Sequence, residues 1–375
     1  MKLSKNKWET KKLTEVCADI FAGGDVPKNN FSKTKTDELS IPIFSNGEKN
    51  KGLYGYTNIG KVTIPSLTIS ARGTIGYSEI REEKFYPAVR LIVVTPNSNL
   101  LDLYFLKFVI GNTYFASSGT AIPQLTVPMV KQYEIPLPSL PEQYQIAELF
   151  QSIETAIEQA EQQENKLKTL RNSLINFLTK QKPQFGNLID SKKCKQVSVA
   201  DVAEEISARV DNPSKSEYVK FVGLEDFETG ELRINKYSST EGLVSAMKLF
   251  KIGDVLFARR NVYLKRVSQA VFDGVCSGDA IVMRANEKII FPELLTLILN
   301  TNEFWDYALS NAAGAFSKRI KWRELAVYSF ELPDLKTQEK IVEVFQQIEK
   351  TLDELKTQKQ TLKNLKQKLL NEILG

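Results

Sequence analysis

The sequence predicts an α+β chain: two mixed α/β globular regions separated by two long helices that pair as an antiparallel coiled coil, the whole laid out as a pseudo-twofold internal repeat. Three observations lead there. At 375 residues the chain has room for two or three folded units of roughly 150 residues each. A stretch near its middle returns without a gap at its end. Both copies of that stretch keep apolar residues at a heptad spacing. With 42% hydrophobic and 25% charged residues, close to the globular average, each unit can bury a core.

The first globular region, residues 1–137, carries short runs rich in Val, Ile and Phe between Gly, Pro and Asn. These predict strands over 62–64, 67–71 and 91–95, followed by an apolar helix over 101–110. The first long helix lies in residues 138–182. Numbered with Ile146 at position a, its a positions are Ile146, Ile153, Ala160, Leu167 and Leu174, with Leu170 at d. The second globular region, residues 183–332, repeats the plan with strands over 218–222, 254–258 and 280–284 and a helix over 292–300. The last segment, residues 333–375, is the second long helix, with Ile341, Ile348, Leu355, Leu362 and Leu369 at a.

The two helical segments superpose at a constant displacement of 195 positions. Pro138/Pro333, Gln143/Gln338, Glu148/Glu343, Phe150/Phe345 and Leu174/Leu369 are identical pairs. Shared coiled-coil composition accounts for some Leu and Glu matches, but not for a Pro, a Gln and a Phe in one register. An apolar stripe kept over five heptads requires a partner helix, and the other copy is the one of matching length. Gln163 and Gln358 share a d position, so pairing would make them a buried polar layer that sets register. Helices of about 35–40 residues reach roughly 50–60 Å, which makes them spacers holding two similar, non-identical heads apart. A twofold-like pair of heads suits a duplex with two different half-sites.

Composition excludes much. Histidine is absent, which removes Ser-His-Asp and Cys-His chemistry and the zinc sites built on His. Cys17, Cys194 and Cys276 lie too far apart for a CxxC pair and read as reduced thiols. The chain has no GxxxxGK[ST] phosphate loop and no NPP[YF] tetrapeptide of the kind amino-methyltransferases use. The longest mostly apolar stretch, 289–299, is interrupted by Pro292 and Glu293 and falls short of the ~18–20 residues a membrane span needs. The basic start lacks an apolar region behind it, so the cytoplasm is the expected compartment and no membrane the expected partner.

Net charge is +5, too small to argue for nucleic acid by itself, so clusters must carry any such claim. In the second region, residues 247–266 hold Lys248, Lys251, Arg259, Arg260, Lys265 and Arg266 against Asp254, and residues 316–324 hold Lys318, Arg319, Lys321 and Arg323. Arg bonds a guanine edge bidentately, Asn an adenine edge, and Lys neutralises phosphate. Arg259, Arg260 and Asn261 at a strand end are therefore candidate base readers, with Lys265, Arg266, Lys318, Arg319 and Lys321 as further contacts. Each is also explicable as a solvated surface charge. In the first region Arg72 is placed at a strand end as Arg259 is later. Lys49 and Lys51 sit in a loop with Asn50 and Tyr54, and Thr120 and Gln124 align with the second basic cluster.

With its order of head, LPxL-initiated helix, head and second helix, and with the segments around TISARGTIG and GDVLFARRN, the chain resembles the specificity (S) subunit of type I restriction-modification systems over essentially its full length. The second helix departs from the first at Lys336 and Thr337, where Pro141 and Glu142 stood. The resemblance implies a non-catalytic subunit whose heads are target recognition domains, each reading one half of a split sequence in double-stranded DNA. It implies that the helices fix the gap and dock two modification subunits, which use S-adenosylmethionine to methylate adenine. Restriction subunits using ATP with Mg would be possible further partners, and no cofactor would be held by this chain itself. Two other classes compete: a coiled-coil scaffold that ignores DNA, and a diverged stand-alone enzyme. DNA gel shift separates the first, and S-adenosylmethionine binding by the isolated chain the second.

Overall fold

A computed structural model describes residues 5–113, 115, 124–179, 194–315 and 317–375. The chain divides into two compact units, one formed by Met1–Glu161 with Thr357–Gly375 and the other by Gln162–Lys356. Both units therefore contain the beginning or end of each long helix.

In the first unit, Glu9–Lys12 pairs antiparallel with Glu134–Leu137 and closes the ends of the head on each other. Between them lies an antiparallel sheet in the order Cys17–Ala22, Leu91–Pro96, Ser66–Ser70, Ser78–Arg81. Its two central strands are buried on both faces, which is why they read as continuous apolar runs rather than alternating ones. Leu67, Ile69, Ile92 and Val94 face the helix Leu103–Gly111. Val93 faces the other way, onto Val62 and Phe85. A smaller sheet joins Leu53–Thr57, Ile41–Phe44 and Tyr86–Pro87. The strand expected over 62–64 is reduced to a single bridge between Val62 and Phe85.

The second unit repeats this frame. Lys195–Ser198 pairs with Ser329–Leu332, and the main sheet runs Ala203–Glu205, Ala280–Ala285, Val255–Ala258, Val267–Ala270, Arg233–Ile234. Val255, Phe257, Ile281 and Met283 pack on the helices Pro292–Ile298 and Asn302–Ser310. Leu256, Ala258 and Val282 pack on the opposite side against Val222, Phe250 and Cys276. The helix Asn302–Ser310 was not expected. Thr301 is an N-cap whose hydroxyl accepts from the Phe304 amide at 3.2 Å, starting a second helix.

The long helices span Leu140–Phe177 and Leu335–Leu374. Their starts use different caps. Ser139 bonds Glu142 in the first, whereas the Asp334 carboxylate accepts from the Thr337 amide in the second. The repeated glutamine does the same work in both. Gln143 donates to Pro138 O and Leu100 O, both at 2.9 Å, and accepts from Asp102 N. Gln338 donates to Pro333 O and Ile289 O at 2.9 Å and accepts from Phe291 N. Each helix is thereby tied to the loop entering the head's own helix.

Within the first unit, Ile146, Ala147, Phe150 and Ile153 share a core with Leu370 and Ile373. Within the second, Ile175 shares one with Ile341, Val342 and Phe345. Glu154 meets Lys366 at 2.6 Å and Arg171 meets Glu349 at 2.8 Å. Advancing along the first helix from 154 to 171 retreats along the second from 366 to 349, so the helices pair antiparallel. These two ion pairs are the same pair under the 195-residue repeat. The heptad positions Ile146, Ile153, Ala160, Ile341 and Leu355 are buried; Leu174 and Ile348 pack on the second core and Leu369 on the first. Leu167 and Leu362 are half-buried, and Leu170 is exposed. An unsupercoiled helix drifts from a strict seven-residue repeat, and Ala147, Phe150, Ile175 and their counterparts take up the drift. Gln163 and Gln358 are exposed, correcting the expected polar layer; beyond Gln143 and Gln338 at the helix starts, the buried polar groups on the described parts of the two helices are Glu164, Arg171 and Glu349. Among the described residues no helix is long and apolar enough to cross a membrane.

Candidate nucleic-acid interface

In the second unit the strand Val255–Ala258 runs out at Arg259, and two neighbours seize its backbone. Arg259 N donates to Asp279 O at 3.0 Å, and Ile320 N donates to Arg259 O at 3.1 Å. One residue on, Arg260 forms a bridge with Arg319, and Asn261 N donates to Lys318 O. The two basic clusters, distant in sequence, are thus stitched into one surface.

Asp279 lies at its centre. Its Oδ2 is 3.6 Å from Arg260 and 3.5 Å from Arg319, whose side chains stay 45% and 48% exposed. Arg260 Nε also donates to Ser317 Oγ, and that hydroxyl donates to Asn261 Oδ1. Lys318 and Lys321 are exposed beside them. Two of the predicted contact residues are placed differently. Arg259 is half-buried, and its Nε is enclosed without a hydrogen-bond partner. Arg266 turns inward, donating to Leu224 O at 2.6 Å and Arg260 O at 3.5 Å. Burial lowers its pKa, and it braces the loop rather than facing outward. Lys265 is half-buried with φ 49°.

The first unit has the same skeleton. Ala71 N donates to Arg90 O and Leu125 N donates to Ala71 O, so Ala71 is the counterpart of Arg259. Arg72 then corresponds to Arg260, one residue from the expected match. Gln124, half-buried, precedes Leu125 as Arg319 precedes Ile320. The 46–52 loop joins this place through Asn46 Oδ1, which accepts from Ala71 N, and Gly47 N, which donates to Ser70 Oγ. Lys49 and Lys51 are exposed on it, and Lys51 O accepts from Arg81 at 2.6 Å. Thr120 lies outside the described residues. Sequence reasoning missed Arg90, exposed with φ 68°, and Asp279. Superposing the turns before the strands Leu91–Pro96 and Ala280–Ala285 would have paired them.

Among the described residues no group of three His, Cys, Asp or Glu side chains is placed to hold a metal. Burial pushes the Cys17 and Cys276 thiols up to about 12, so neither is a ready nucleophile.

Comparison with known proteins agrees with this architecture. The family model described as type I restriction modification DNA specificity domain matches residues 5–169 and 190–364. A Mycoplasma pneumoniae protein, named as the C-terminal part of a type I specificity protein, is 35% identical over 125 residues, 31% of this chain and 86% of that one. The type I restriction enzyme EcoDI specificity subunit of Escherichia coli is 28% identical over 178 residues, 48% of this chain and 38% of that relative's length. The crystal structure of a type I restriction-modification S subunit from M. genitalium superposes with a TM-score of 0.63 at 13% identity, covering 100% of this chain and 98% of the other, a likeness of fold.

Proposed function

The chain belongs to the type I restriction modification DNA specificity family, and from that premise we propose that it is the DNA-reading subunit of a restriction-modification complex. Residues 1–137 and 183–332 are the two target recognition domains, each reading one half of a bipartite duplex target. Residues 138–182 and 333–375 set the spacing between the halves and dock two modification subunits. Those subunits bring S-adenosylmethionine and the methyl-transfer chemistry; restriction subunits, where present, bring ATP and Mg. The chain works in the cytoplasm and performs no catalytic step itself, in keeping with a sequence that has no histidine. The scaffold alternative leaves the converging cations unexplained.

The observation that carries this reading is the paired strand end. In both units one arginine, Arg72 or Arg260, leaves the main sheet at the same hydrogen-bonded position. In the second unit Arg260, Lys318 and Arg319 converge there from segments about sixty residues apart. Guanidiniums on a rigid strand end suit bidentate recognition of guanine, and the exposed lysines suit phosphate. The test is methylome sequencing of cells expressing the complex with Arg260→Ala or Arg319→Ala. One half of the methylated motif should lose a specified base while the other half is retained. An unchanged motif methylated to the same extent would refute this placement of the interface.

A further inference from the structure

The position just before the strands Leu91–Pro96 and Ala280–Ala285 accepts the same backbone bond in both units but is filled by opposite charges, with a left-handed backbone at Arg90 alone. Arg90 O accepts from Ala71 N as Asp279 O accepts from Arg259 N. The strands that follow have matching registers, Ser70 opposite Leu91 and Ala258 opposite Ala280. The turns before them match as well, with Leu91 N donating to Ala88 O and Ala280 N to Ser277 O. Side chains at this position therefore leave the same place in the fold, next to the arginine at the strand end.

We propose that this position determines specificity in each head: Arg90 contacts DNA directly, and Asp279 is a positioning residue that holds Arg260 and Arg319 for base recognition. The inference rests on the DNA-reading function above. In the second unit two guanidiniums converge on one carboxylate oxygen at 3.6 and 3.5 Å. Without that acid they would repel each other and sample separate rotamers. With it, both are oriented through their inner edges, and their outer N–H groups stay available for a guanine edge.

In the first unit the matching position carries Arg90 in place of an acid. Arg72 and Arg90 make no ion pair among the described residues, and Gln124 stands where Arg319 does. Arg90 also adopts φ 68°, a conformation that an L residue other than Gly, Asn or Asp seldom takes. Glycine would satisfy that backbone better. A side chain kept at a position whose backbone favours having none points to a task for the side chain. The second head thus trades charge for orientation, and the first keeps two cations that no ion pair among the described residues ties together.

The experiment uses the complete complex with its modification subunits and S-adenosylmethionine, on duplexes carrying the motif found by methylome sequencing and its single-base variants. Asp279→Asn keeps shape and removes charge. It should lower discrimination roughly tenfold at the base or bases that Arg260→Ala and Arg319→Ala relax, with no loss of affinity for unrelated duplex. Arg90→Gly suits the backbone and removes the guanidinium. It should weaken binding through the first half-site about tenfold and flatten the salt dependence by about one phosphate contact. Melting temperatures of both variants, measured alongside, separate loss of contact from loss of fold. If Arg260→Ala and Arg319→Ala relax the motif and Asp279→Asn does not, the positioning role is overturned while the reading function stands. Wild-type binding by Arg90→Gly overturns the direct contact. If neither arginine variant changes the motif, the proposed interface itself has failed.

Discussion

Glu154–Lys366 in one unit and Arg171–Glu349 in the other are the same ion pair under the internal repeat, yet they are solvated very differently. Lys366 meets Glu154 at 2.6 Å and Lys107 meets its other oxygen at 3.0 Å, all three side chains about a quarter exposed. Arg171 is 2% exposed, bonds Glu349 at 2.8 Å and donates to Gly230 O at 2.6 Å. Around it Glu231 receives Lys168 and Lys356, and Lys168 also meets Glu164. A half-wet pair contributes little because water competes for both partners. A buried one is costly to break, because the survivor is left as an uncompensated charge. Duplication preserved the register contact, while burial made one copy far more sensitive than the other.

The largest effect should come from breaking that symmetry. Arg171→Met leaves Glu349 buried alone and should cost the second unit about 3–5 kcal/mol. Lys366→Met leaves Glu154 with Lys107 and water and should cost about 1 kcal/mol or less. Calorimetry of the full chain reads both, and adding Glu349→Leu to Arg171→Met should restore most of the loss. Equal destabilisation by the two single variants would show that burial is not what separates the pairs.

Where the two units are alike, substitutions should cost alike. Gln143→Ala frees Pro138 O, Leu100 O and Asp102 N, and Gln338→Ala frees Pro333 O, Ile289 O and Phe291 N. Each should lose about 2–3 kcal/mol, the cost of unsatisfied buried polar groups. Matching shifts of urea midpoint are the expected result, and a large asymmetry would mean that the loops tied by the two glutamines differ in stability.

The legible part of this molecule was what repeats along the chain. Long helices declare themselves by period, and Pro138/Pro333 with Gln143/Gln338 declared the duplication, because local spacing survives in sequence. The binding surface was half legible. Arg260, Lys318 and Arg319 stood out as charge, but their convergence depends on backbone bonds from Asn261 to Lys318 and from Ile320 to Arg259, pairings no local pattern carries. Among adjacent arginines, charge could not tell Arg259 from Arg260; hydrogen-bond register does. Asp279 and Arg90 were passed over because an acid beside a basic cluster, or a single cation before an apolar strand, has no meaning until the fold brings it there.

The loops that follow the strand ends offer a smaller contrast. Gly73 and Gly76 have φ of 79° and 86° in the first unit, and at the corresponding places Asn261 and Lys265 have φ of 55° and 49°. Glycine takes this region freely, Asn tolerates it, and Lys is strained there. Lys265→Gly should therefore stabilise the second unit by up to about 1 kcal/mol. Gly76→Ala should destabilise the first by about as much, since its new Cβ would also sit 3.1 Å from the Phe115 ring. Melting temperatures moving in opposite directions would confirm the equivalence, and a fall in both would mean that the Lys265 side chain stabilises the loop by more than the strain costs.

The smallest effect is on pH dependence. Burial works against ionisation of Glu154, but hydrogen bonds and charge from Lys366 and Lys107 outweigh it and hold its pKa below the usual carboxylate value. For Glu231, burial is likewise outweighed by Lys356 and Lys168. A carboxylate whose folded pKa is depressed adds stability that is complete above its unfolded pKa, near 4.3, and vanishes as pH falls through the folded value. Both units should thus hold constant stability from neutral pH down to about 5 and weaken below about 4.3, by only a few tenths of a kcal/mol per partly exposed pair. Glu154→Gln should flatten this acid limb for the first unit and leave the second unit's limb unchanged, with Glu231→Gln doing the reverse. Urea midpoints taken across the acid range would show it, and a limb that either substitution flattens in both units would mean that the two ion-pair networks do not titrate independently.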